Sequence, residues 1–242
     1  MRRLNFVLAG ILLATTGAAV AQTAAAVADT HRPAEDTAHD AARHPAAMID
    51  FAHIGHGSKV VDFIPGHGYF TRLFAVAVKP GGSVVAVVPT AAAGHDPAGA
   101  AMITALGSDA AYGDITVINA VTDAAAANAD VFWTAQNYHD LHNAAPGTVA
   151  GLNKAVFAAL KAGGYYVIVD HVALAGSGDT ATKSLHRIDP AMVKAEVTAA
   201  GFVFDGESKV LANPADPHTA VVFDPAIRGK TDQFAYRFKK PG

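Results

Sequence analysis

The segment Lys59-Val-Val-Asp-Phe-Ile-Pro-Gly-His-Gly-Tyr-Phe-Thr-Arg-Leu73 constrains the fold more than any other stretch. An apolar run leads into a turn carrying Gly66 and Gly68, and a helix-forming sequence follows at once. Glycine has no Cβ, so the main chain of such a turn can approach a ligand closely. A strand, a glycine turn and a helix start in this order form a nucleotide-cofactor loop at the carboxyl end of a first parallel strand. A dinucleotide loop would place a third glycine three residues after Gly68. Thr71 stands there, which argues against NAD or FAD. No G-K-[ST] sequence is present, so the turn is not a phosphate-binding P-loop.

The alternation continues along the chain. The pattern predicts strands at Val60–Ile64, Ser83–Val88, Ile115–Ile118, Val131–Thr134 and Tyr165–Asp170. It predicts helices at Tyr69–Val78, Pro97–Leu106, Val149–Leu160 and Pro190–Ala200. Ser83–Val88 is apolar after its serine, as a strand buried on both faces must be. Lys79-Pro80-Gly81-Gly82 and Lys161-Ala162-Gly163-Gly164 read as helix stops followed by turns. The last two strands, Phe202–Leu211 and Gln233–Lys239, have no crossover helix between them and are expected to pair antiparallel. Such an order implies a parallel sheet covered by helices.

The 242-residue chain carries a formal charge of −3, which argues against a dedicated nucleic-acid binder. It has no cysteine, which removes thiol catalysis, disulfides and cysteine metal sites. Arg2 and Arg3 precede an apolar run from Phe6 to Ala14, and Ala19-Val20-Ala21 follows as a cleavage site. Residues 1–21 therefore read as a signal peptide and predict a periplasmic or secreted protein. The apolar run falls short of the roughly 20 residues a span needs, so no membrane anchor is expected. Residues 22–31 are alanine-rich and expected to be disordered, with one domain over residues 32–242. Asp36, His39, Asp40 and Arg43 fall on one helical face. That face reads as solvated; the other reading is a helical lid over a cofactor cleft.

Beyond the glycine turn, Leu160-Lys161-Ala162-Gly163-Gly164 before Tyr165–Asp170 resembles the "LKPGG" turn and fifth strand of class I S-adenosylmethionine-dependent methyltransferases. Asp130–Thr134 resembles their fourth strand. Together with Gln136–Asp140, Asp170-His171, Leu185–Asp189 and Arg228–Phe234, the chain is similar to a family of exported, predicted bacterial methyltransferases. The resemblance runs from about Arg32 to the C-terminus. It implies an α/β, Rossmann-like fold with a mostly parallel seven-stranded sheet, helices on both faces and an antiparallel terminal strand. It also implies S-adenosylmethionine as cofactor, bound by Asp62, Pro65, Gly66, Gly68, Tyr69, Thr134 and Gln136, and a small-molecule acceptor. Two positions depart from the class. Ile64 and Pro65 stand where the first glycine and a small residue are usual, and Val88 replaces the acid that holds the ribose hydroxyls.

In an open α/β sheet, ligands lie outside the carboxyl ends of the strands. The polar residues after the fourth strand therefore carry the candidate chemistry. Tyr138 or His139 is placed to act as general base, with Asp140 orienting the imidazole. Asn137, His142, His171, His186 and Arg187 are candidate substrate contacts. Asp189 before Pro190 reads as a helix N-cap. Two other readings stay open. One is a non-catalytic small-molecule-binding protein on a degenerate version of the fold. The other is a metal enzyme drawing on His139, His142, His171, His186 and His218 with Asp140, Asp170 and Asp189.

Overall fold

The computed structural model describes residues 22–89 and 96–242. The expected leader and its cleavage site at Ala19–Ala21 lie outside the described residues. No helix among them is long and apolar enough to cross a membrane.

Residues 22–27 are helical (α1). Three short helices follow: α2 (Ala34–Ala38), α3 (Asp40–Arg43) and α4 (Pro45–Phe51). Next come β1 (Lys59–Phe63), α5 (Tyr69–Ala77), β2 (Ser83–Val87), α6 (Pro97–Leu106), β3 (Ile115–Ile118) and β4 (Ala129–Ala135). The chain ends with α7 (Tyr138–Leu141), α8 (Thr148–Ala159), β5 (Leu160–His171), α9 (Thr182–Leu185), α10 (Pro190–Ala199), β6 (Val203–Ser208) and β7 (Gln233–Lys239). The seven strands form one sheet in the order β3-β2-β1-β4-β5-β7-β6. β1 to β5 run parallel, and β7 pairs antiparallel with both β5 and β6.

Strand alternation splits the core in two. Val60, Val84, Ala86, Trp133 and Val167 face α5, α6 and the N-terminal helices. Val61, Val85, Phe132, Tyr166 and Ile168 face α7, α8 and α10. The order of strands reverses between β1 and β4, which opens a crevice above their carboxyl ends.

Two expectations about local structure need correction. The N-terminal segment is ordered from residue 22: Ala26 is fully buried in the core, and the Thr23 hydroxyl donates to Asp50 at 2.9 Å. Alanine-rich composition suggested disorder, but small side chains let α1 pack closely on α4. The Leu160–Gly164 stretch is not a free turn either. It belongs to β5, with a register shift between Ala129 and Val131. Gly164 is required there, because a Cβ would lie 3.0–3.1 Å from the backbone oxygens of Lys161, Ala129 and Asp130.

A two-chambered cleft and a histidine cluster

The loops after β1 and β4 both leave the sheet in left-handed backbone conformation, at Ile64 (φ 53°) and Gln136 (φ 61°). Ile64 thus keeps the conformation that the usual glycine would take, although a β-branched residue is strained there by about 1–2 kcal/mol. The Ile64 N–H donates to Val87 and the Gln136 N–H to Val169. Asn137 ties the two loops together, its Nδ2 donating to the carbonyls of Ile64 (3.0 Å) and Ala135 (2.7 Å).

Above these loops lies a chamber of about 380 Å³. Asp62, Ile64, Pro65, Gly66 and Tyr69 form its floor, Trp133, Gln136 and Asn137 one wall, and Glu35, Asp36, His39 and Arg43 the opposite wall. A second chamber of about 480 Å³ adjoins it, lined by His171, Phe223, Arg228, Gly229, Thr231 and Gln233. His39, Arg43 and Gln136 line both and divide them. Volumes of this size suit small ligands.

The helical face of Asp36, Asp40 and Arg43 packs on α5 and walls the first chamber rather than standing free in solvent. Asp36 is buried and accepts from Arg72 at 2.9 Å. Asp40 accepts from Nη1 and Nη2 of Arg32 and from the Tyr69 hydroxyl at 2.7 Å. Arg43 lies over the Tyr69 ring, 4.5 Å from its centroid. The helical spacing was visible in the sequence. The partners Arg72 and Tyr69 were not, because they lie about 30 residues away in the chain.

Asp62 is buried, and burial pushes its carboxyl up to about 7 against the single bond donated by Thr71. His171 is buried too; loss of hydration lowers its pKa to about 4, and its Nδ1 lies 2.9 Å from the Thr231 hydroxyl.

Of the residues expected to touch the cofactor, Asp62, Pro65, Gly66, Tyr69 and Gln136 line the first chamber. Gly68 and Thr134 line neither. Gly68 starts α5, and a Cβ there would lie 3.1 Å from Ile103 and 3.2 Å from Leu106, so its bareness serves helix packing. Thr134 is fully buried, and strand alternation carries it to the face opposite Trp133 and Ala135. Val88 packs on the core and supplies no acceptor for a ribose.

The residues expected to be catalytic stand apart from the two chambers. None of Tyr138, His139 or Asp140 lines either chamber. Tyr138 is fully buried on the α10 side; its hydroxyl donates to Glu196 at 3.0 Å and accepts from Asn153 at 2.9 Å. Burial raises its pKa far above the phenol range, so it holds its proton. His139 is oriented by Asp170 rather than Asp140: Nδ1 lies 2.8 Å from Oδ1, while Oδ2 accepts the His139 backbone N–H at 2.8 Å. Burial works against the imidazolium, but the Asp170 carboxylate outweighs it and raises the His139 pKa. Burial likewise opposes the Asp170 charge, and His139 beside it holds that carboxyl low.

Among the candidate substrate contacts, Asn137 lines the first chamber and His171 the second. His142 is packed between Glu196 (3.3 Å) and Asp179 (3.6 Å). Arg187 is fully buried and serves the fold: it pairs with Asp216 at 2.9 Å and donates to the carbonyls of Val172 and Ala220. His186 belongs to a cluster with His139 and Asp140. Arg228, Gly229 and Thr231, to which the sequence assigned no role, supply part of the second chamber.

No family model and no curated protein sequence matches the chain. Solved structures do. The N-methyltransferase NodS from Bradyrhizobium japonicum superposes with a TM-score of 0.60 at 14% identity, over 86% of this chain and 99% of that one. A putative sarcosine dimethylglycine methyltransferase from Galdieria sulphuraria gives 0.58 at 14% identity, over 83% and 85%. The [4+2]-cyclase SpnF gives 0.56 at 15% identity, over 83% and 81%. The chain therefore has the Rossmann-like fold of class I methyltransferases. Identities this low establish architecture, and the presence of a cyclase shows that chemistry must be argued from the site.

Proposed function

We propose that this protein binds S-adenosylmethionine in the first chamber and transfers its methyl group to a small acceptor in the second. The carrying observation is that one chamber presents groups of opposite charge, Asp62 on its floor and Arg43 on its wall. Asp62 and Arg43 both face the space above the Gly66 turn, and they match the ammonium and carboxylate of an amino-acid end. The Asp62 carboxylate has one side-chain partner, Thr71, and keeps acceptor capacity for a ligand ammonium. Tyr69, Phe70 and Trp133 supply the apolar surface that a cofactor of this kind needs.

When bound, the cofactor would supply an electrophilic methyl on its sulfonium, to be given up to an acceptor lone pair with a thioether as the leaving group. The chain's own contribution is placement and exclusion of water. Gln136 stands where the two chambers meet, with Asn137 beside it in the first, and the lid of α2 and α3 covers that junction. Glu35 is the carboxylate of the lining left for the ribose hydroxyls, since Val88 offers none.

Calorimetry with S-adenosylmethionine and S-adenosylhomocysteine tests this reading. Binding of both is expected, with loss of affinity in Asp62→Ala and Arg43→Ala. Absence of binding at millimolar ligand overturns it. We infer further that the chain acts outside the cytoplasm after cleavage near Ala21. What supports this is the sequence itself: Arg2-Arg3, the apolar run from Phe6 to Ala14 and the Ala19-Val20-Ala21 site ahead of Gln22. N-terminal sequencing of protein from a periplasmic extract checks this; a retained Met1 overturns it.

A further inference from the structure

Beside the second chamber, three ligand-type atoms converge: His139 Nε2, Asp140 Oδ1 and His186 Nδ1. They come from α7 and the loop after α9, and the topology alone brings them together. The nitrogens are 3.2 Å apart, and Asp140 Oδ1 lies 3.4 Å from His139 Nε2 and 3.6 Å from His186 Nδ1. Three donors held about 2.1 Å from one tetrahedral ion stand about 3.4 Å apart, so the triangle has the size that an ion requires.

The surroundings are built for the same purpose. Asp170, itself fully buried, engages His139 Nδ1 at 2.8 Å and leaves Nε2 facing the other two donors. A carboxylate behind a histidine in this way fixes the ring and raises its basicity toward a metal. Phe223 packs edge-on against the His186 ring, with centroids 4.8 Å apart.

We propose that His139, Asp140 and His186 bind a single divalent transition-metal ion, with Asp170 as the residue that positions His139. Two imidazoles and a carboxylate favour zinc, iron or cobalt over magnesium or calcium. Three protein ligands leave at least one coordination position for water or a ligand oxygen. His171 and Phe223 line the second chamber and also flank His139 and His186. The ion therefore adjoins that chamber. The site stands independently of the methyl-transfer reading.

The test uses the full chain without a polyhistidine tag, loaded with Zn²⁺ or Co²⁺ and dialysed. The expected result is one retained equivalent by elemental analysis and cobalt absorption bands of a low-coordinate nitrogen–oxygen site. Asp140→Ala and His186→Ala alter partly exposed side chains and are expected to keep the wild-type circular dichroism; each is expected to weaken zinc binding by more than about tenfold. Asp170→Asn is expected to weaken it about 10–100-fold while the ligands remain. Retention well below one equivalent overturns the proposal, as does undiminished affinity in the folded Asp140→Ala, His186→Ala double variant.

Discussion

Asp36 Oδ2 accepts a hydrogen bond from Arg72 Nη1 at 2.9 Å, and this contact fastens the N-terminal helices to the helix that follows the glycine turn. Arg72 also donates to the His67 carbonyl at 2.9 Å, so one guanidinium holds both the lid and the turn. Asp36→Ala should release the lid. Affinity for a first-chamber ligand is expected to fall about tenfold, equivalent to about 1.4 kcal/mol. Hydrogen exchange should quicken over residues 34–43 while β1 and β4 stay protected. Unchanged exchange there would disprove the lid role.

Asp62 gives the apo protein a specific pH dependence. Its folded pKa of about 7 lies above the ordinary value of 3.8, so the native state keeps a proton that the unfolded chain has lost. Its contribution is greatest below about pH 4 and declines as pH rises to about 7, by at most about 4 kcal/mol. Asp62→Asn should flatten that window in urea denaturation. A bound ammonium would favour the carboxylate, so ligand binding near pH 6 should release about one proton. Calorimetry in two buffers of different ionisation enthalpy reads this directly; identical heats would count against it.

Ile64 holds a left-handed backbone that costs a β-branched residue about 1–2 kcal/mol. Ile64→Gly removes that strain, and the loss of its half-buried side chain and the greater freedom of glycine oppose the gain. The variant is expected to unfold within about 1 kcal/mol of wild type and to widen the first chamber. A loss above about 3 kcal/mol, the size expected for a core isoleucine, would contradict the strain argument.

Arg187 and Tyr138 separate scaffold from site. Arg187→Ala leaves Asp216 buried without its cation and should cost about 3–5 kcal/mol of stability in urea denaturation. Tyr138→Phe removes one hydroxyl between Glu196 and Asn153. It should cost about 1–2 kcal/mol and leave binding to either chamber unchanged. Weakened ligand binding in a fully stable Tyr138→Phe protein would return that residue to the site.

The sequence by itself determined the sheet. The strands from Lys59 to His171, the helices between them and α10 after them follow from local apolar runs, glycine stops and the Asp189-Pro190 cap, all of which act over a few residues. It also marked the Gly66 turn and the polar stretch after β4 as the places for chemistry. Tertiary structure alone decided which of those side chains face a ligand. A one-residue step along a strand reverses a side chain's direction, so Thr134 is lost to the chamber while Trp133 and Ala135 line it. Arg187 and Asp216, or His139 and Asp170, meet only because the fold brings segments about 30 residues apart together, and no local pattern records that. The solvated face expected for Asp36 and Arg43 became the wall of the cleft for the same reason. Their partners lie beyond the reach of helical periodicity.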